Sequence, residues 1–168
     1  MIQSTPCKAI LALVLLAIAV VCYIKLSPVS ESLNENGYFY DLQEQKLFVA
    51  PRASSPPITG IQGAPMAGVR AFVISTTGNP ADKKHRQIAY LQKYSPELKR
   101  LFEEVQQARA AGRSEAGRID RSQIPANTLV RRLHDPEWYP LDSAEGEKIT
   151  TEWNVPGPDG QSPAICSP

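Results

Sequence analysis

Ala9 to Ile24 reads AILALVLLAIAVVCYI, an unbroken apolar run between Lys8 and Lys25. As a helix rising about 1.5 Å per residue it is roughly 24 Å long, and both lysines can snorkel outward toward the surfaces of a hydrocarbon core about 30 Å thick. Every helical face of the run is apolar, so packing it into a small globular domain leaves no stripe for water. On this reading residues 9–26 are a single transmembrane anchor, 1–8 a short N-terminal tail and 27–36 a polar tether. A cleaved signal peptide would use Ala17-Ile18-Ala19, but Lys8 alone is basic ahead of the run and apolar residues continue past that point. A lipoprotein reading would modify Cys22, where Val20 and Val21 stand in place of small residues. An eight-residue tail is short enough to stay inside while a larger domain is translocated. The expected placement is therefore the inner membrane, single-pass, with the N-terminus cytoplasmic and the soluble domain periplasmic or extracytoplasmic.

The remainder has the composition of one small domain, the chain being 42% hydrophobic and 21% charged over 168 residues. Cys7 and Cys22 belong to the apolar segment, which leaves Cys166 and no disulfide framework. Gly37–Asp41 and Lys46–Val49 are aromatic and β-branched runs flanking Leu42–Gln45, the pattern of a hairpin. Pro51, Pro56, Pro57, Pro65, Gly60 and Gly63 make 50–67 a loop. Val69–Ser75 reads as a third, central strand. Asn79-Pro80 offers an N-cap and a first helical residue, with Ile88, Leu91 and Tyr94 as the buried face of a helix ending near Tyr94. Ser95-Pro96-Glu97 starts a second helix whose Leu98, Leu101, Phe102 and Val105 recur at spacings of three and four, ending near Gly112. Asn127–Leu133 reads as a fourth strand, placed at an edge by its two arginines. Trp138 and Trp153 are packing residues. Asn154–Pro168, rich in proline and glycine, is an extended or disordered tail whose order would require a partner.

Charge divides the chain. From Asp82 to Arg132 there are twelve Lys or Arg against six Asp or Glu, whereas Asp135–Pro168 holds seven acids and only Lys148. Opposed segments in one chain meet each other more readily than they recruit a polyanion, so Arg109, Arg113, Arg118 and Arg121 do not read as a nucleic-acid patch. His85 and His134 stand apart, and no cysteine pair has metal spacing. No phosphate loop or nucleophile elbow occurs, and Glu103-Glu104 lies on an exposed helix face.

The order of the anchor, G-Y-F-Y-D-L with K-L-F-V (37–42 and 46–49), G-V-R-A-F-V (68–73), and W-Y-P with S-A-E-G (138–140 and 143–146) resembles small single-span bacterial envelope proteins. The resemblance implies architecture and carries no catalytic, cofactor or metal residue. The expected fold is α+β: an N-terminal transmembrane helix, then over 37–153 a small, mainly antiparallel sheet of about four strands with two helices. The expected role is that of a non-catalytic interaction or structural protein, an accessory subunit of a larger membrane protein complex. Its partners would be membrane lipid and other membrane protein subunits, with no nucleic acid, no cofactor and no metal; homo-oligomerisation is not indicated. The alternatives are an anchored module that binds an envelope ligand, and an unrecognised hydrolase.

Overall fold

In the computed structural model the described residues are 35–113, 119–157 and 160–168. The aromatic runs form a hairpin of β1 (Asn36–Asp41) and β2 (Lys46–Pro51). β3 (Gly68–Ser75) pairs with β1 on one edge and with β4 (Arg86–Tyr94) on the other. β5 (Thr128–Arg131) and β6 (Tyr139–Pro140) continue the sheet beyond β4, and β7 (Ala164–Ile165) pairs with the far end of β3. The order is β2-β1-β3-β4-β5-β6, with β7 also on β3, and every pairing is antiparallel.

Two α-helices are described, α1 (Pro96–Ala110) and α2 (Ala144–Thr151), each opened by a serine whose Oγ accepts a backbone N–H three residues on. Those donors are Leu98 to Ser95 at 3.2 Å and Gly146 to Ser143 at 3.1 Å. Both helices pack on the same face of the sheet. The Tyr94 and Phe102 rings lie 5.0 Å apart beneath α1. Arg132, which follows β5, reaches α2 through Glu145 and Glu152. Gly146 is obligatory there, because a Cβ at that position would lie 2.0 Å from the Pro140 carbonyl oxygen. The opposite face carries Val69, Ala71, Val73 and Leu91, all buried, beneath Tyr38, Tyr40, Leu42, Ile88, Leu133 and Trp138.

The fold corrects the expected architecture in three respects. First, among the described residues the sheet has seven strands rather than about four. The helix expected to run to Tyr94 is a single 3₁₀ turn at Lys83–His85 followed by β4. Phe72 pairs with Tyr90 but Val73 pairs with Ile88, so Ala89 is the extra residue of a β-bulge. The bulge puts Ile88 and Leu91 on one face although they are three apart, and that spacing imitates a helix. β6 and β7 have two residues each, too few for any periodicity to reveal. Second, β5 is not an edge, since β6 pairs beyond it. Third, no helix among the described residues is long and apolar enough to cross a membrane. The expected anchor at 9–26, with the tail 1–8 and nearly all of the tether, lies outside the described residues. The single-pass, inner-membrane, periplasmic-domain architecture therefore finds no spanning helix in the described fold and is set aside. Within the tail, the Cys166 N–H donates to the Val73 carbonyl at 2.8 Å, so the end of the chain takes its order from β3.

Asp41 fastens the hairpin to the proline-rich loop. Its carboxylate is wholly buried and accepts N–H groups from Gln43 at 2.9 Å, Glu44 at 3.1 Å and Ile61 at 2.7 Å. Burial, the largest single influence, pushes this carboxyl up, but the three N–H donors together outweigh it and hold it below its ordinary value. A Cβ on Gly60 would lie 2.2 Å from Asp41 Oδ2, so the loop passes only because residue 60 is glycine. Gly60→Ala is expected to cost about 1 to 3 kcal/mol by overpacking, read as a lowered denaturation midpoint. A carboxyl depressed in the folded state adds stability that is fully present above its unfolded value, about 3.9, and is lost as pH falls through the folded value. Asp41→Asn is therefore expected to be less stable than wild type at pH 7, with the gap narrowing below pH 4 in urea titrations.

Candidate functional site

The pleat of the sheet sorts the charges. On the face away from the helices, β4 presents Arg86 and Lys93 and β5 presents Arg131, and the strand positions of that face carry no carboxylate among the described residues. Arg86 and Lys93 are seven apart and would lie on opposite faces of a regular strand; the bulge at Ala89 brings them to the same one. Each cation rests against an aromatic ring. The Lys93 ammonium is 4.4 Å from the centre of the Trp138 ring and the Arg131 guanidinium 4.9 Å, while Arg86 lies 6.0 Å from the Tyr38 ring.

Hydrogen bonds orient these groups without neutralising them. Arg86 donates through Nη1 to the Tyr38 hydroxyl at 2.5 Å and through Nη2 to the Pro80 carbonyl at 2.6 Å. Arg131 Nη1 donates to the Asp135 backbone carbonyl at 2.5 Å. The Nε atoms of Arg86 and Arg131 are buried without a hydrogen-bond partner among the described residues. None of the three cations forms an ion pair among the described residues. Burial and then the charge of Arg131 pull Lys93 below the usual lysine range. Burial does the same to Arg131, against the smaller opposing influences of Tyr40 and Asp135.

Across the sheet three carboxylates converge on one residue. Arg132 binds Glu152 bidentately, with Nη2 to Oε2 at 2.7 Å, and also meets Glu145 at 2.8 Å and Asp135 at 3.1 Å. Glu152 first, then Glu145 and Asp135, hold this guanidinium above its ordinary range. Here the basic and acidic segments of the chain do meet, but that pairing leaves the other face uncompensated.

The residues weighed from sequence fall elsewhere. His85 Nδ1 lies 2.7 Å from Asp82 Oδ2, and Thr77 donates to the same carboxylate at 3.3 Å. The hydrogen bond with His85, the first cause, holds Asp82 below the usual carboxylate range. Among the described residues no hydroxyl or thiol hydrogen-bonds to the His85 ring. His134 is exposed, and Cys166 is buried beside Val73. Glu103 and Glu104 pair with Lys99 and Arg100 along α1. Arg109, Arg113 and Arg121 are exposed, and Arg118 lies outside the described residues. Trp153 donates its Nε1–H to the Thr150 carbonyl at 2.7 Å and acts in packing, whereas Trp138 is the platform for two cations. The sequence reading assigned Lys93 to a helix and so missed the site; the signal for it is strand alternation interrupted once at Ala89. No protein-family model, curated protein or solved structure matches this chain.

The depressed lysine gives a test. A charged amine held below its ordinary value costs stability at neutral pH, and the cost is relieved as pH rises through that value toward about 10.4. Lys93→Met keeps the apolar stem and removes the charge, so its unfolding free energy is expected to stay within about 1 kcal/mol of wild type at pH 7. Trp138→Ala uncovers the buried cluster and is expected to lose about 2 kcal/mol or more. Equilibrium denaturation of both variants checks the pair.

Proposed function

We propose that this protein is a non-catalytic interaction module, an accessory subunit of a larger protein assembly, and that it docks on an acidic, extended segment of a partner protein. The observation that carries the reading is one sheet face holding Arg86, Lys93 and Arg131 half-buried against aromatic rings, none of them ion-paired among the described residues. A fold keeps such groups at a cost in solvation, and an incoming anion recovers it. Arg86 and Lys93 are separated by roughly 20 Å along β4, which suits two acidic side chains about six residues apart on an extended peptide.

A polypeptide fits better than a nucleic acid. Trp138 already has two cations against its ring, where base recognition on a sheet uses aromatic faces free to stack. The rings here serve to hold cations in place.

The test uses a fluorescent twelve-residue peptide with glutamates at positions 3, 4, 9 and 10, so that the two acidic pairs are six residues apart, a neutral glutamine version, and a single-stranded oligonucleotide of similar length. Anisotropy is expected to show binding of the acidic peptide that weakens with salt. Lys93→Met and Arg131→Met should each reduce the affinity at least about tenfold, or 1.4 kcal/mol. Equal binding of the neutral peptide would overturn the proposal, and tighter binding of the oligonucleotide would replace the partner class.

A further inference from the structure

β2 ends the sheet, and its outer edge has no strand partner among the described residues. Leu47 and Val49, at alternate positions of this edge strand, are 40% and 49% exposed. A strand edge with apolar side chains and free backbone groups is a template for another strand. We propose that β2 pairs antiparallel with β2 of a second copy of this chain, about a two-fold axis perpendicular to the sheet at Phe48.

The occupant follows from the strand itself. Directly opposed residues of an antiparallel pair share a face, so a two-fold at Phe48 sets Leu47 against Val49 of the second copy, and Val49 against its Leu47. The exposed apolar side chains then meet as a closed group of four. Lys46 faces Ala50, so no like charges oppose each other. Moving the axis one residue along, to Val49, would set Lys46 against Arg52 and is disfavoured by repulsion. The same register brings Glu44 of one copy toward the Arg52 end of the other, which adds charge complementarity.

The opposite end of the sheet cannot propagate such pairing. β6 has only two residues, ends in Pro140 and leads directly into the turn before α2. Self-pairing through β2 therefore closes at two copies instead of growing into a fibre. Both copies keep the same face of the continuous sheet on the same side, so the arrangement would also present two cationic faces together. The short shared strand places this contact among small, reversible interfaces.

Sedimentation velocity of the full chain over a range of concentrations tests the proposal, with circular dichroism confirming that each variant is folded. Leu47→Glu and Val49→Lys each place a charge in the apolar group, and each alone should weaken association at least about tenfold. Mixing the two variants should restore a one-to-one dimer, because in this register the introduced carboxylate faces the introduced amine across the axis. A wild-type chain that stays monomeric throughout would overturn the proposal. So would a dimer that neither variant weakens, or variants that weaken it but are not rescued on mixing.

Discussion

The bulge at Ala89 is the constraint on which the rest of this molecule depends. β4 must serve two layers: toward the helices it offers Tyr90, Gln92 and Tyr94, and toward the other side Arg86, Ile88, Leu91 and Lys93. Were every residue of β4 paired regularly, with no bulge, the two halves of the strand would be out of phase, and either the Ile88 end or the Leu91 end would turn its apolar side chain the wrong way. With it, Ile88 and Leu91 both reach the cluster of Val69, Ala71 and Val73. The same shift carries the charges, so one local irregularity fixes both the core and the proposed binding surface.

The electrostatics of the two faces differ for a reason visible in the connections. The segment after β5 folds back so that Asp135, Glu145 and Glu152 converge on Arg132, the residue next to Arg131. Neighbouring residues at the end of a strand point to opposite faces, which is why one arginine pairs with three carboxylates while its neighbour forms no ion pair among the described residues. Summed along the sequence these charges cancel; sorted by the pleat they do not. Asp41 shows the complementary solution, a carboxylate whose charge is satisfied by backbone N–H groups.

Parts of this were legible in the sequence, and the boundary has physical causes. The hairpin of β1 and β2 was readable because aromatic runs flank a short polar turn, and α1 because Ser95-Pro96 caps a run of Leu98, Leu101, Phe102 and Val105. β4 was misread because a bulge turns a two-residue period into a spacing of three, which a helix also produces. β6 and β7 are too short to carry a pattern; their place is decided by pairing with β5 and β3. α2 has eight residues and little apolar content beyond Ile149, so no helical period marks it in the sequence. The candidate site combines residues of β1, β4 and β5 with Trp138 just before β6, and a linear charge count cannot see which side chains the sheet brings to one face.

The most direct test of the account is a set of nuclear Overhauser contacts in the wild-type protein across β3 and β4. The fold described here predicts cross-strand backbone contacts linking Val73 with Ile88 and Phe72 with Tyr90, with Ala89 opposite no residue of β3. Contacts between residues three and four apart along 86–94, with none across to β3, would show a helix there and contradict both the fold and the cationic face built on it.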